Sequence, residues 1–152
     1  MAETKYGKYI LTVEGKGKQG YGTQILSLKD SAIKGSWFMM HSWITPNGRK
    51  PVTEAHYHED EELIGFLGNN PDDPGDLGAV VELYIGKEME EHVITRSCIF
   101  FVPKGLVHCP LFYTKVDRPF IFILSSPHPE YGKKIDYKSK LAEEIENKAR
   151  KK

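Results

Sequence analysis

The chain has 152 residues, 21 lysines and arginines against 21 aspartates and glutamates, and 39% hydrophobic residues, which fits one ordinary globular domain rather than a disordered or fibrous protein. Its zero formal net charge gives no general electrostatic reason to bind nucleic acid or an anionic membrane. The longest aliphatic or aromatic run, Phe120–Leu124, is far short of the roughly 18 residues a membrane-crossing helix needs, and the charge-broken stretch up to Val13 has no apolar signal segment, so the expectation is a cytoplasmic protein.

Short alternating or apolar runs separated by turn residues recur along the chain, which predicts an all-β sandwich or barrel rather than βαβ units. Strands are expected at Tyr9–Val13, Thr23–Leu28, Ser36–Ile44, Glu54–His58, Glu62–Leu67, Ala79–Ile85, His92–Thr95, Cys98–Val102, Val107–Tyr113 and Phe120–Ser125. Turns are expected at Pro46-Asn47-Gly48, at the polar Asn69–Leu77 stretch with its two prolines, at Gly86-Lys87 and at Pro103-Lys104-Gly105. In Ser36–Ile44, Trp37, Met39, His41 and Trp43 share one face, with Phe38, Met40, Ser42 and Ile44 on the other. If the His41 face looks inward, His41 can hydrogen-bond a substrate or act as a base; otherwise it is a core or interface histidine. From Lys138 the chain turns strongly charged and helical in pattern, with Leu141, Ile145 and Ala149 on one stripe and Glu144/Lys148 and Glu146/Arg150 as i,i+4 pairs. The expected organisation is a β-barrel domain over residues 1–137 and a short C-terminal helix and tail over 138–152.

Chemistry concentrates in the run Glu54-Ala55-His56-Tyr57-His58-Glu59-Asp60-Glu61-Glu62. Residues i and i+2 of a strand point to the same face, so His56 and His58 project two imidazoles into one space. A hairpin partner beginning at Glu62 can return its carboxylate beside them. Glu59, Asp60 and Glu61 could also supply an oxygen, but strand parity favours Glu62 and leaves the other three as a solvated turn. About fifty residues on, Pro103-Lys104-Gly105-Leu106-Val107-His108 sets another histidine just after a turn. Three imidazoles and one carboxylate suit one divalent transition metal per chain, iron, manganese, nickel, cobalt or zinc, whereas calcium or magnesium prefers oxygen ligands throughout.

These residues resemble the two motifs of the cupin superfamily. His56, His58 and Glu62, followed by Gly68, match the pattern His-x-His, three or four residues, Glu; Pro103, Gly105 and His108 match Pro-x-Gly-x-x-His. The resemblance covers about residues 46–125. It implies a double-stranded β-helix, the jelly-roll or cupin barrel, with a metal held inside by His56, His58, Glu62 and His108. The chain departs from the pattern where the usual opening glycines would stand, at Lys50 and Ser97, and where an asparagine often closes the second motif, at Phe112. None of these is a ligand position.

Other side chains are candidates for the mouth of the barrel. Arg118, at a turn before the last core strand, can hold a carboxylate by bidentate contact or be an exposed turn arginine. Strand alternation after His108 puts Pro110 and Phe112 on its face and turns Cys109, Leu111 and Tyr113 away, so the Cys109 thiol is expected to point away from the metal. Ile64, Phe66, Phe112 and either Phe120/Phe122 or Ile121/Ile123 form the expected apolar lining. Cys98 and Cys109 are read as free thiols, and His92 and His128 as surface residues. The functional expectation is a metal-dependent enzyme acting on a small organic molecule, a dioxygenase or an isomerase or lyase, with His41 and Arg118 as candidate catalytic groups. The alternative is a non-catalytic module that binds or senses a small molecule. Apolar groups on both faces of Ser36–Ile44, together with the resemblance, imply a homodimer.

Overall fold

Two antiparallel sheets face one another, and the chain crosses between them repeatedly. The computed structural model describes residues 4–12, 18–19, 23–46 and 54–150. Among these the strands are β1 (Lys18–Gln19), β2 (Thr23–Leu28), β3 (Phe38–Ile44), β4 (His56–Tyr57), β5 (Glu62–Leu67), β6 (Asp76–Ile85), β7 (Glu90–Arg96), β8 (Cys98–Val102), β9 (His108–Val116), β10 (Phe120–Ser126) and β11 (Ile135–Asp136), followed by helix α1 (Lys140–Arg150). One sheet runs β1-β2-β3-β10-β5-β8 and the other β11-β4-β9-β6-β7. The late strands β9 and β10 each sit beside early ones, β9 next to β4 and β10 between β3 and β5.

The interior follows the period of two. Leu77, Ala79, Val81 and Leu83 of β6 face Ile64 and Phe66 of β5, Ile44 of β3 and Phe120 of β10 in one buried cluster. Aromatic rings join the layers: Phe120 lies 5.4 Å from Tyr113 and 6.4 Å from Phe66, centroid to centroid. Each such side chain removed from water contributes roughly 1.5–3 kcal/mol. Phe120 and Phe122, rather than Ile121 and Ile123, are the inward members of β10. Gly68 answers to close packing: a Cβ there would stand 2.0 Å from the carbonyl oxygen of Asp76.

The two outer faces differ. Tyr84, Phe112, Val107 and Ala55 on the outside of the second sheet are covered by α1 through Ala142, Ile145 and Ala149. Ser139 Oγ accepts the Ala142 N–H at 3.1 Å and caps the helix. Glu146 accepts the Ala55 N–H at 3.1 Å, and Arg150 reaches Glu54 at 3.0 Å and Glu146 at 3.7 Å. The buried stripe is therefore Ala142, Ile145 and Ala149, and the sequence expectation for Leu141 fails because the smaller Ala142 lets the helix approach the sheet, leaving Leu141 exposed. On the first sheet, cross-strand pairing lines up Met39 with Ser125 and Leu63, His41 with Ile123 and Gly65, and Trp43 with Ile121 and Leu67. Ile99 and Phe101 of β8 continue that face and are 63% and 59% exposed.

Elsewhere the sequence reading needs adjustment. The Tyr9–Val13 strand is absent over its described part: Gly7–Tyr9 is a single 3₁₀ turn and Ile10 is exposed, while Val13 lies outside the described residues. Asn47, Gly48 and Lys50 also lie outside them. Strand β6 starts at Asp76, so the end of the expected polar loop belongs to the core. Alternation in β9 is broken: Leu83 opposes Leu111 while Ile85 opposes His108, which inserts one extra residue in β9, and Cys109 takes a φ of 66°. Consequently Cys109, Leu111 and Tyr113 join the interior cluster and Phe112 turns outward under the helix, the reverse of the expected parity.

Candidate metal centre

Each histidine is held by a different local device. His56 lies on β4 directly opposite His108 on β9. His58 follows β4, and its carbonyl accepts the N–H of Gly105 at 2.9 Å, which ties the Pro103-Lys104-Gly105 turn to the His56-x-His58 stretch. Gly105 has a φ of 77°, a conformation in which a side chain is strained. Glu62 opens β5 in the other sheet on the same face as Ile64 and Phe66 and reaches across the interior.

The structure brings these four side chains together and buries them all, none more than 4% exposed. One potential ligand atom from each of His56, His58 and His108 lies within 4.8 Å of the others. Glu62 Oε2 stands 3.2 Å from His108 Nε2 and 3.7 Å from His58 Nε2. All three Nδ1 atoms face backbone carbonyls: His56 to Glu54 at 2.6 Å, His58 to Lys133 at 3.1 Å and His108 to Leu106 at 3.0 Å. A carbonyl only accepts, so each Nδ1 carries the proton and donates, leaving a lone pair on each Nε2. Burial first, and then the neighbouring His108, push His56 down to about 3, with the Glu54 carbonyl opposing. His58 is also pushed below its ordinary value, by burial first and against the pull of Glu62. At neutral pH both rings are uncharged.

The carboxylate is the anomaly. Both oxygens of Glu62 and His108 Nε2 are buried without a well-formed hydrogen bond among the described residues, since a carboxylate and an imidazole lone pair have no proton to share, although the Tyr131 hydroxyl also faces the carboxylate. A lone buried carboxylate costs several kcal/mol unless something positive meets it. Glu59 and Glu61 are exposed, and Asp60 is half-buried and paired with His128 at 3.1 Å.

The remaining candidates lie elsewhere. His41 belongs to the outer face of the first sheet, opposite in parity to the buried Phe38, Ser42 and Ile44, so the condition for a role at the cluster is not met. Arg118, in the turn between β9 and β10, pairs with Asp76, whose carboxylate also takes the Gly78 N–H at 2.9 Å. The Cys109 thiol is buried and pushed up, first by burial and then by the charge of Glu62, which sets it on the inner side with the cluster. Sequence reasoning missed Tyr131. Its hydroxyl lies 3.3 Å from His58 Nε2, and its ring packs on His58 and Phe38 at centroid distances of 5.2 and 5.1 Å. Burial first, and then the charge of Glu62, push the phenol far above its ordinary range. No motif marks this residue; its place depends on the segment after β10 folding back over the β4 end.

Comparison with known proteins places this geometry in a fold class. No family model matches the chain, and no curated protein matches it by sequence. An oxalate oxidase in complex with the substrate analogue glycolate superposes with a TM-score of 0.55 at 13% identity, over 90% of this chain and 67% of its own. The oxalate decarboxylase of Lactobacillus farciminis, as a formate complex, gives 0.51 at 14% identity, over 78% of this chain and 32% of its own. A sugar phosphate isomerase from a cupin superfamily, from Silicibacter pomeroyi, gives 0.47 at 16% identity, over 74% and 65%. The chain thus spans between about a third and two thirds of these proteins. The likeness is one of fold: two antiparallel sheets form a jelly-roll barrel as in the oxalate oxidase and the oxalate decarboxylase, with a buried three-histidine cluster inside it. No helix among the described residues is long and apolar enough to cross a membrane.

The two depressed histidines set a pH dependence for the metal-free protein. Their unfolded value is near 6.5, so below it the unfolded chain binds protons that the folded site refuses. Stability present above pH 6.5 is therefore lost as pH falls towards about 3, by an amount on the order of a few kcal/mol from His56. Urea denaturation of chelator-treated protein should show a lower unfolding free energy at pH 5 than at pH 7.5, and His56→Gln should flatten that slope.

Proposed function

We propose that His56, His58, His108 and Glu62 hold one divalent transition metal per chain, and that the protein is an enzyme acting on a small organic molecule at that centre. Glu62 carries the reading: its buried carboxylate, without a well-formed hydrogen bond among the described residues, stands against the His58 and His108 Nε2 atoms, and a cation between them satisfies all three groups. Nitrogen and carboxylate donors suit iron(II), manganese, cobalt, nickel or zinc. Bound there, such an ion supplies Lewis acidity and, when redox-active, electron exchange with dioxygen.

The protein's own part is to hold the donors ready. The Glu54, Lys133 and Leu106 carbonyls fix the orientation and tautomer of each ring, as such partners do in metal sites generally. Burial of all four donors keeps bulk water away. Four protein donors would hold the ion while leaving it open to a small ligand. An oxalate oxidase and an oxalate decarboxylase with this fold support an enzyme over a passive module.

A homodimer belongs to the same proposal. Of the two apolar outer faces, the protein's own helix covers one. On the other, Met39, Ile99 and Phe101 are open to solvent around the His41 row, and a second copy is the partner that would cover them. In that setting His41 is an interface residue.

Elemental analysis of the purified protein should give about one transition-metal ion per chain. Replacing both His56 and His108 by Ala should abolish it, and Glu62→Gln should weaken metal affinity by at least tenfold; full metal content in the double variant refutes the centre. Screening small organic molecules under air and under nitrogen separates the chemistries: oxygen uptake marks a dioxygenase, anaerobic turnover an isomerase or lyase, and tight binding without turnover a sensing module. Light scattering at micromolar concentration should give twice the 17.3 kDa chain mass, and Phe101→Glu should shift it to one chain.

A further inference from the structure

The segment following β10 folds back against the histidine cluster and is anchored on both sides of Tyr131. The Phe38 N–H donates to His128 O at 2.7 Å, the Asp30 N–H to Pro129 O at 2.9 Å, and His58 Nδ1 to Lys133 O at 3.1 Å. Gly132 packs so closely that a Cβ there would stand 3.3 Å from Asp60 Oδ2 and 3.6 Å from His58 Nδ1. The Tyr131 ring is wedged against Phe38 and His58, with centroids at 5.1 and 5.2 Å. Its hydroxyl is therefore held in place, 3.3 Å from His58 Nε2 and facing the Glu62 carboxylate, whose Oε2 is 3.7 Å from the same nitrogen.

One O–H proton thus meets two acceptors of unequal kind. Since His58 carries its proton on Nδ1, its Nε2 has a single lone pair, which the phenol or an ion can use but not both. A carboxylate has about four lone-pair sites, enough to bind an ion and accept a hydrogen bond together. Once the metal centre proposed above takes the Nε2 lone pair, Glu62 is the acceptor left to the hydroxyl. Each imidazole already has a backbone carbonyl to orient it. Glu62 has no such partner: no well-formed hydrogen bond among the described residues fixes the rotation of its carboxylate. A hydrogen bond to a charged acceptor is roughly twice as strong as a neutral one, and here the donor sits on a ring that packing already holds.

We propose that Tyr131 is a positioning residue for the metal centre, its hydroxyl passing from His58 Nε2 to the Glu62 carboxylate when the ion binds and so turning the other carboxylate oxygen to the ion. This rests on the metal reading and adds to it a residue that acts through a ligand without touching the ion. Two effects of the hydrogen bond oppose one another. It draws charge from the carboxylate, which weakens it as a donor, and it fixes the orientation of that donor. Partners of metal ligands are worth about ten- to a hundredfold in affinity, so orientation prevails.

The test is a double-mutant cycle on the cobalt(II) affinity of the full-length protein, measured by competition with a chelating dye. With Glu62 present, Tyr131→Phe should raise the cobalt dissociation constant about tenfold and alter the intensity of the visible cobalt bands, which report the arrangement of ligands around the ion. In a Glu62→Ala background the same change should shift the constant by less than about twofold, because the group through which the hydroxyl acts is gone. An equal loss in both backgrounds, the mark of a merely structural tyrosine, overturns the proposal, as does an unchanged or lower constant in the single variant. A phenolate-to-metal charge-transfer band after loading with iron(III), present in the wild type and lost in Tyr131→Phe, would put the oxygen on the ion and also overturn it. Failure of the wild type to bind cobalt would remove the metal reading itself, a different result from all of these. Should a variant not fold, or bind too weakly to measure, a crystal structure of the wild-type cobalt protein reads the contact directly. A Tyr131 hydroxyl within about 3.2 Å of a Glu62 oxygen supports the assignment, and a longer distance overturns it.

Discussion

The constraint on which the rest of the molecule depends is the pairing of each Nδ1–H with a backbone carbonyl. Three imidazoles packed a few ångströms apart in a dry interior would repel if charged, and burial keeps His56 and His58 neutral. Neutral rings still have one donor each to satisfy. Glu54, Lys133 and Leu106 supply the acceptors from three separate stretches of backbone. The lone pairs that remain gather in one small volume, with the Glu62 carboxylate against those of His58 and His108 and without a well-formed hydrogen bond among the described residues.

Holding those carbonyls in place requires most of the architecture. Glu54 precedes β4, and this strand has only two residues, too few to be held by its own ladder. It is flanked by β9 and β11 and braced by α1, whose Glu146 takes the Ala55 N–H while Arg150 reaches Glu54. Lys133 lies on the segment leading into β11, so the pairing that completes the second sheet also sets the acceptor for His58. The C-terminal region thus serves the centre, although no residue of the helix belongs to it. The helix also leaves the outer faces unlike, one covered by the chain itself and the other apolar and open.

The main errors in reading the sequence have local physical causes. Alternation predicts side-chain direction only while the ladder is regular, and β9 carries an extra residue next to His108 with Cys109 in a left-handed conformation. Phe112 and Cys109 exchange faces for that reason. On α1, Leu141 is the more hydrophobic residue by type, but the sheet accepts the small Ala142 at close approach. Tyr131 was invisible because its role comes from a loop crossing from one sheet's end to the other, and neither periodicity nor motif spacing reports where a loop lands.

What the sequence determined by itself was whatever depends on local spacing. The i and i+2 geometry of His56 and His58, the strand start at Glu62 and the glycine turn ahead of His108 follow from backbone periods and turn chemistry, as does the all-β class. The tertiary structure decided what depends on register between distant segments. It set His56 against His108 and sent His41 to the outside and Arg118 to an ion pair with Asp76. It also folded Tyr131 onto His58. Pairing partners are chosen by the burial of whole faces at once, and that choice is a property of the assembled barrel rather than of any single stretch of chain.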